Sequence, residues 1–185
     1  MAKKYLQIKK GGASMSTIEK LEQRLMEMEK EITRLKDIEA IKSLKGKYLR
    51  CLDSKLWDTI GECFCEDVTT SYSDGKLSFT GKEEVVNFFR TCMPPEHITM
   101  HQCHTPEIEF ESDTKAFAYW YLGDNLILLD RNMGIRGGAF YRESYEKVNG
   151  KWKIKTIGYK RTFEERWDRN DPKSAKITYN MHSKE

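Results

Sequence analysis

Apolar residues recur at steps of three and four along residues 38–58, a spacing that predicts one buried helical face. Its members are Ile38, Ile41, Leu44, Tyr48 and Leu52. Tyr48 belongs to this face although it carries a phenol, and Asp53 follows five residues later, where Ser54 and Lys55 break the pattern. A core tyrosine with a helix-ending carboxylate is the simpler interpretation. A helix that ends in the core could instead place both groups in one cavity.

A second apolar series precedes this face and has the spacing of a coiled-coil seam. Ser16-x-x-Glu19 is a capping-box pattern and predicts a helix start. From there the steps alternate between three and four for nearly three heptads, through Ile18, Leu21, Leu25, Met28, Ile32 and Leu35. We predict one long helix, or two joined end to end, in which the seam binds partner subunits. Packing of the seam along its own domain is an equally good interpretation.

Two shorter helices and a hairpin are predicted next. One helix covers residues 56–64, and a capping box at Thr80-x-x-Glu83 opens another. Between them, Ser73-Asp74-Gly75 predicts a turn that joins strands over residues 68–72 and 76–79.

The second half of the chain has the pattern of successive strands, over residues 98–110, 115–129, 139–148 and 151–163. Asn149-Gly150 is the strongest hairpin signal in the chain. In the last strand, Trp152 and Ile154 have the opposite parity to Ile157, Tyr159 and Arg161. A bulge near Lys155–Thr156 would reconcile the two sets.

Helices followed by a long meander indicate the α+β class, with a curved antiparallel sheet enclosed by N-terminal helices. Such a cone surrounds an apolar pocket, and pockets of this kind usually bind small molecules. A single domain is predicted over residues 16–167, with an N-terminal helical extension. Residues 1–15 are predicted to be a flexible or vector-derived tail, and residues 168–185 a polar C-terminal tail on the surface.

Composition narrows the class of function. The 185 residues include 32 Lys and Arg and 29 Asp and Glu, a formal net charge of +3 that gives no strong pull toward nucleic acid. Five cysteines without a CxxC pair predict a reduced, cytoplasmic protein. A metal site combining Cys63 and Cys65 with Cys103, His101 or His104 fits no standard zinc spacing. No stretch is apolar and long enough to span a membrane, and the N-terminus lacks the apolar run of a secretion signal.

The histidines are the main candidates for acid–base chemistry. His101 and His104 lie at odd spacing on one predicted strand, so only one of them can face a pocket. His101 is favoured because it shares parity with Cys103. His97 and His182 are predicted to lie at the surface. A lone histidine on a strand is more often structural than catalytic.

Four candidates considered together favour a catalytic interpretation. Tyr48, Asp53, His101 and Arg161 come from a helix, its end and two strands, and all could converge on one cone. A neutral imidazole is a suitable base near neutral pH, a carboxylate would fix its tautomer, and a phenol can donate to an oxygen that gains charge. The sequence has no Gly-rich phosphate loop, GxSxG or HExxH, so hydride, phosphoryl and serine acyl-transfer chemistry have no support.

Four stretches resemble the bile acid 7α-dehydratases, a family of SnoaL-like, NTF2-like α+β cone proteins. The stretches are residues 38–53, 68–77, 100–108 and 137–141. The resemblance extends from residue 18 to the C-terminus. Its active-site positions are occupied here by Tyr48, Asp53, His101, Asp124 and Arg161. Tyr72, in the second stretch, is the predicted substrate-binding residue.

The resemblance implies a cofactor-free lyase. Its substrate would be a 3-oxo-4-ene bile acid, as the coenzyme A thioester, which loses its 7α-hydroxyl as water to give the 4,6-diene. Tyr48 would donate to the C3 oxygen, and His101 would take the C6 proton and return one to the departing hydroxyl. Asp53 would orient or stabilise His101, while Asp124 and Arg161 would bind the hydroxyl or hold the polar network. A homotrimer is implied, and no nucleic-acid or membrane partner is expected.

Two alternatives are left open. One is a non-catalytic NTF2-like module that binds an apolar ligand or assembles subunits through the seam. The other is a ketosteroid isomerase-type enzyme, which also uses a phenol donor and a base. A new 4,6-diene chromophore would distinguish dehydration from both.

Overall fold

The computed structural model describes residues 16–72 and 75–180. The predicted tail over residues 1–15, the turn residues Ser73 and Asp74, and His182 lie outside the described residues. The chain divides into two compact units, one up to Asp37 and one from Ile38 onward. Helix α1 (Thr17–Asp53) covers both predicted helical segments without a break.

In the first unit, the predicted capping box is confirmed. The Ser16 amide donates to Oε2 of Glu19 at 2.6 Å, and the Glu19 amide donates to Oγ of Ser16 at 3.2 Å. These two bonds satisfy backbone donors that a helix start leaves free. The six side chains of the seam are 47–69% exposed in the single chain.

In the second unit, α1 buries the predicted face together with one charged residue. Ile41, Tyr48 and Leu52 are at most 1% exposed, as the three-and-four spacing predicts. Lys45, which shares this face, is equally buried although a lysine side chain is almost never fully buried without a partner.

Two short helices follow, and both differ from the prediction at their ends. Helix α2 is confined to Trp57–Gly61, because Phe64 already begins the first strand. Helix α3 (Lys82–Cys92) has Gly81 as its N-cap, with a φ of +95°. The predicted Thr80–Glu83 capping box is wrong, since the Thr80 amide donates instead to Oε2 of Glu84 at 3.1 Å.

Six strands form one curved, unclosed sheet in the order β1-β5-β4-β3-β2, with β6 paired to β5. They are β1 (Phe64–Ser71), β2 (His97–Phe110), β3 (Lys115–Leu128), β4 (Met133–Val148), β5 (Lys151–Asp168) and β6 (Asp171–Asn180). The predicted α+β class is confirmed. The sheet is mixed rather than wholly antiparallel, because β1 pairs with β5 in parallel.

The β4–β5 hairpin and its bulge are confirmed. Asn149 and Gly150 have φ values of +49° and +75°, as expected of a tight turn that follows the twist of the strands. Ser144 pairs with Thr156 and Tyr145 pairs with Ile154, which leaves Lys155 as the extra residue of a bulge. Beyond the bulge, the side chains that face the core occupy odd instead of even positions, as the sequence predicts.

Three other predicted segments have different structures. Residues 68–72 and 76–79 lie antiparallel through the Tyr72–Leu77 bridge, but the second of them is not a strand. Strand β4 begins at Met133, six residues before the predicted start. Within the predicted C-terminal tail, residues 171–180 form β6. No helix in the described part of the chain is long and apolar enough to cross a membrane.

Candidate active site

A cavity of about 110 Å³ lies between α1, α3 and the sheet. Five of the six predicted site residues line it: Tyr48, Tyr72, His101, Asp124 and Arg161. Its apolar lining comes from Leu52, Leu77, Phe88, Phe89, Met93, Leu122 and Leu126. The sixth predicted residue, Asp53, is in contact with His101.

Asp53 ends α1 and holds His101 at two points. Its Oδ1 lies 2.6 Å from Nδ1 of His101, and its Oδ2 accepts the His101 backbone amide at 2.9 Å. Oδ1 also accepts the hydroxyl of Thr99 at 2.8 Å. The His101 side chain is only 6% exposed. Two bonds to one residue fix both the backbone and the ring of His101.

The ionisation of Asp53 assigns the tautomer of His101. Partial burial raises the pKa of Asp53, but the hydrogen bonds from His101 and Thr99 outweigh it and hold the pKa below its usual value. A carboxylate only accepts, so Nδ1 carries the proton that it shares with Asp53. Nε2 is then the ring nitrogen left for a ligand in the cavity, as general-base chemistry requires.

The other histidines of β2 are placed differently. His104 is exposed and lies on the opposite face of the strand from His101. His97 is buried, so its predicted surface position is wrong. Its two ring nitrogens lie 3.1 Å from the Cys92 carbonyl and 3.1 Å from Oδ1 of Asp130, and these two contacts explain how the β2 terminus accommodates a buried imidazole.

Asp124 and Arg161 form a two-point ion pair in the cavity wall. Nη1 and Nη2 of Arg161 donate to the two carboxylate oxygens of Asp124 at 2.5 and 2.7 Å. Burial lowers the pKa of Arg161, but the bonds to Asp124 raise it above its usual value. Asp124 is the cross-strand partner of His101 in the β2–β3 ladder, so its position beside the imidazole follows from the strand register.

Gly137 leaves room for this ion pair. It is the cross-strand partner of Asp124 on β4. A Cβ at this position would overlap Nη1 of Arg161 and would lie 3.1 Å from Oδ1 of Asp124 and 2.9 Å from the Phe163 carbonyl. A backbone carbonyl cannot give way as a flexible side chain can, so any larger residue here displaces the pair.

The two predicted tyrosines present buried phenols to the cavity. Burial raises the pKa of Tyr48 well above its usual value, and it raises that of Tyr72 as well, so both hydroxyls are protonated donors. Among the described residues, the Tyr72 hydroxyl has no partner with full hydrogen-bond geometry, although the Tyr48 hydroxyl lies near enough to affect its pKa. A buried hydroxyl without a well-formed hydrogen bond costs free energy unless a ligand or water satisfies it. A polar ligand atom in the cavity would satisfy this hydroxyl.

Sequence reasoning missed several residues that the site uses. Thr99 hydrogen-bonds Asp53, and Tyr141 and Tyr159 line the cavity. Lys45 pairs with Glu143 beneath the tyrosines. A signal for Lys45 was present, since a charged residue stands four residues after Ile41 and three before Tyr48 on the apolar face. Thr99, Tyr141 and Tyr159 could not be assigned to the site without knowing how the strands pair, and the local sequence pattern does not contain that information.

Two further features bear on the assignment. A larger depression of about 730 Å³ on the sheet has no carboxylate or imidazole in its lining, so the smaller cavity is the better candidate for acid–base chemistry. No group of three or more His, Cys, Asp and Glu in the described ranges is placed to hold a metal ion.

The fold and the site together define an α+β cone with a histidine–aspartate pair in its cavity. The chain matches the family described as SnoaL-like domain over residues 33–157. Since the match covers more than half of the chain, this protein belongs to that family.

Solved structures have the same fold. A hexachlorocyclohexane dehydrochlorinase, LinA-type3 from Novosphingobium barchaimii, has a TM-score of 0.68 at 20% identity, covering 74% of this chain and 94% of that one. A protein described as a candidate scytalone dehydratase from Novosphingobium aromaticivorans also has a TM-score of 0.68 at 20% identity, covering 83% and 98%. At these identities the likeness establishes the fold alone.

Proposed function

We propose that this protein is a lyase that eliminates the 7α-hydroxyl as water from a 3-oxo-4-ene bile acid, carried as its coenzyme A thioester. The contact between Asp53 and Nδ1 of His101, with the imidazole in the wall of a cavity that Tyr48 also lines, is the observation that carries the proposal. The names of the structural relatives, a dehydrochlorinase and a candidate dehydratase, also support an elimination. The bile acid itself comes from the resemblance of the sequence.

The proposed reaction balances with groups of this chain. Nε2 of His101 takes the C6 proton, and the electron pair of that C–H bond moves into the enone to give a dienolate with negative charge on O3. Tyr48 donates a hydrogen bond to O3 as the charge develops. The dienolate then forms the C6–C7 double bond as the C7–O bond breaks. The proton on His101 passes to the departing hydroxyl, which leaves as water and restores the neutral imidazole.

The remaining site residues have supporting roles in this proposal. Asp53 fixes the tautomer of His101 and stabilises the imidazolium that forms during reaction. The Asp124–Arg161 pair holds the polar wall next to His101 and hydrogen-bonds the 7-hydroxyl. Tyr72 supplies its buried hydroxyl to the substrate. A cytoplasmic location, which the unpaired cysteines suggest, is part of the proposal.

The cavity limits which part of the substrate it can hold as it stands. An engineered apolar cavity of about 150 Å³ binds benzene, so a cavity of about 110 Å³ admits at most one ring. A fused steroid therefore requires the cavity to widen. Leu77 and Met93 are lining residues that are at least partly exposed, and we expect them to move, methionine in particular because its side chain is flexible.

Absorbance during incubation with the enone thioester tests the proposal. Formation of the 4,6-dien-3-one extends the conjugation and gives a new chromophore, whereas isomerisation or binding alone does not. The purified protein should generate this chromophore, and His101→Ala should not. Binding of the thioester without any change in absorbance would favour the ligand-binding alternative. Conversion of a 3-oxo-5-ene analogue, supplied in a separate incubation, to the 4-ene alone would favour the isomerase.

We also propose that the chain forms a homo-oligomer, a trimer by resemblance, through the seam of α1. The support is the exposure of six apolar side chains at heptad spacing, which water does not favour. Sedimentation of the full chain at micromolar concentration should give an oligomer, and Leu21→Glu with Leu25→Glu should weaken it. A monomeric full-length protein would contradict this proposal.

A further inference from the structure

A lysine and a glutamate form an ion pair in the core next to the candidate active site. Lys45 on α1 is 1% exposed, and Glu143 on β4 is fully buried. The Lys45 ammonium donates to Oε1 of Glu143, and the Tyr145 hydroxyl donates to Oε2. Nε1 of Trp120 donates to the Tyr145 hydroxyl at 2.9 Å. Both carboxylate oxygens of Glu143 therefore have a partner.

Stability alone does not account for this pair. Taking two charges out of water costs free energy that their attraction repays only in part, and apolar residues of similar volume are often as stable or more so. Lys47, two residues further along α1, makes its ion pair with Glu62 at 2.5 Å near the surface, where burial costs little. The exposed pair on the same helix avoids this cost. We therefore expect the buried Lys45–Glu143 pair to have a function that depends on the groups around it.

The surroundings of Lys45 are two tyrosines of the cavity. Its Nζ lies 3.4 Å from the ring centroid of Tyr141 and 4.7 Å from that of Tyr48. A cation is attracted to the face of an aromatic ring. It also draws electron density from the ring and its hydroxyl, which makes the phenol a better donor, above all to an acceptor that carries negative charge.

The pair also links the two elements that carry these tyrosines. Lys45 lies about one helical turn before Tyr48 on α1, and Glu143 lies two residues after Tyr141 on β4, on the same face of the strand. Glu143 and Tyr145 are not part of the cavity lining, whereas Tyr48 and Tyr141 are. The ammonium is thus the member of the pair that contacts the rings at the cavity.

We propose that Lys45 is a positioning residue. Held by Glu143, its ammonium polarises the phenols of Tyr48 and Tyr141, so that the cavity prefers a ligand whose oxygen is anionic over a neutral one of the same shape. The identity of that oxygen as O3 of a dienolate rests on the proposed function. The proposal extends that function by adding Tyr141 as a second donor and Lys45 as the source of charge.

Two one-ring probes of nearly the same shape test the preference without turnover. The 4-nitrophenolate anion carries an oxygen where 4-nitrotoluene carries a methyl group. The variant is the double substitution Lys45→Met with Glu143→Gln, which removes both charges and keeps an acceptor for the Tyr145 hydroxyl. The matched control is Lys47→Met with Glu62→Gln, which removes the exposed pair of the same helix.

The double variant at Lys45 and Glu143 should bind 4-nitrophenolate about tenfold more weakly, the effect of one pKa unit of differential interaction. Its affinity for 4-nitrotoluene should stay within about twofold, and the Lys47 control should bind both probes like the unaltered protein. With the enone thioester, kcat should fall about tenfold while KM changes little, because the charge acts only as the oxygen becomes anionic. Equal losses for both probes, or no loss for either, would overturn the proposal.

A second variant keeps the test decisive if the double variant does not fold. Tyr141→Phe keeps the ring that Lys45 contacts and removes one of the two proposed donors, so the affinity for 4-nitrophenolate should fall several-fold while the affinity for 4-nitrotoluene stays within about twofold. An unchanged affinity for 4-nitrophenolate, or an equal loss for both probes, would overturn the proposal.

The probes also separate this inference from the proposed function. Charge-dependent binding of the probes, in a protein that does not dehydrate the enone, contradicts only the proposed function. Dehydration that is indifferent to Lys45 and Glu143 contradicts only the role of Lys45.

Discussion

Strand β2 carries two histidines that each contact an aspartate, and the two pairs differ in which ring nitrogens remain for a ligand. At His97, contacts to Asp130 and to the Cys92 carbonyl, each of 3.1 Å, occupy both ring nitrogens. At His101, Asp53 occupies Nδ1 at 2.6 Å, while the imidazole lines the cavity. A base needs a free lone pair next to its substrate. The comparison therefore supports a structural task for His97 and the proposed catalytic task for His101.

The largest effect on turnover should come from replacing His101, whereas replacing His97 should affect only stability. His101→Ala removes the base and should lower kcat by about 10²–10⁴-fold with substrate affinity within a few fold. His97→Ala should retain turnover but lose about 1–3 kcal/mol of stability, because a buried imidazole and its two hydrogen bonds are removed. Steady-state kinetics and urea denaturation of both variants measure this. An inactive His97→Ala beside an active His101→Ala would reverse the comparison.

The phenol beside His101 should have the next largest effect. Tyr48→Phe keeps the ring that packs against Phe64 and Phe89 and removes the proposed donor to the developing oxyanion. Turnover should fall by about two orders of magnitude with little change in the unfolding midpoint. Tyr119→Phe, on a side chain that is 38% exposed, is the control and should behave like the unaltered protein. Unchanged turnover in Tyr48→Phe would remove this residue from the mechanism.

The aspartates of the two pairs should differ in the same sense as the histidines. Asp53→Asn leaves an imidazole in place, so we expect a loss in kcat that is smaller than the loss on removing the base. Adding Asp53→Asn to His101→Ala should cost little more, as expected of residues that act as a unit. Asp130→Asn should leave kcat unchanged. A full additive loss in the double variant would show that Asp53 does not act through His101.

Gly137 tests the polar wall next to His101. Gly137→Ala places a methyl group against the Asp124–Arg161 pair and the Phe163 carbonyl, and should cost about 1–3 kcal/mol of stability through the lost charge-assisted bonds. Gly123→Ala is the matched control, since a Cβ there meets nothing within 4 Å. Chemical denaturation of the two variants compares them. Equal stability would mean that the pair rearranges without cost.

The smallest effect is a pH dependence of stability at Asp53. Its folded pKa lies below the usual aspartate value of about 3.9, so its ionised form contributes stability above about that pH and loses it as the pH falls through the folded pKa. The difference in unfolding free energy between the unaltered protein and Asp53→Asn should therefore be largest near neutral pH and should shrink below about pH 4. A difference that grows on acidification would contradict the assignment of a carboxylate bonded to His101.

Several features of this protein follow from the sequence because they depend on neighbours along the chain. The three-and-four spacing gave α1 and its buried face, and the Ser16–Glu19 pattern gave its capping bonds. Asn149-Gly150 predicts the hairpin because few other pairs adopt positive φ at both positions. The parity conflict in β5 predicts the bulge at Lys155 because side chains alternate with a period of two.

Features that join distant segments were decided only in the tertiary structure. The parallel pairing of β1 with β5 and the strand formed by residues 171–180 have no local signature. The register of β2 on β3 places Asp124 beside His101, and the end of α1 brings Asp53 to Nδ1 of that residue. Lys45 is buried because Glu143, 98 residues away, supplies its partner. Spacing along the chain determines on which face of a helix or strand a residue lies. The packing of distant segments determines which residues that face contacts. The candidate site depends on these contacts between distant segments.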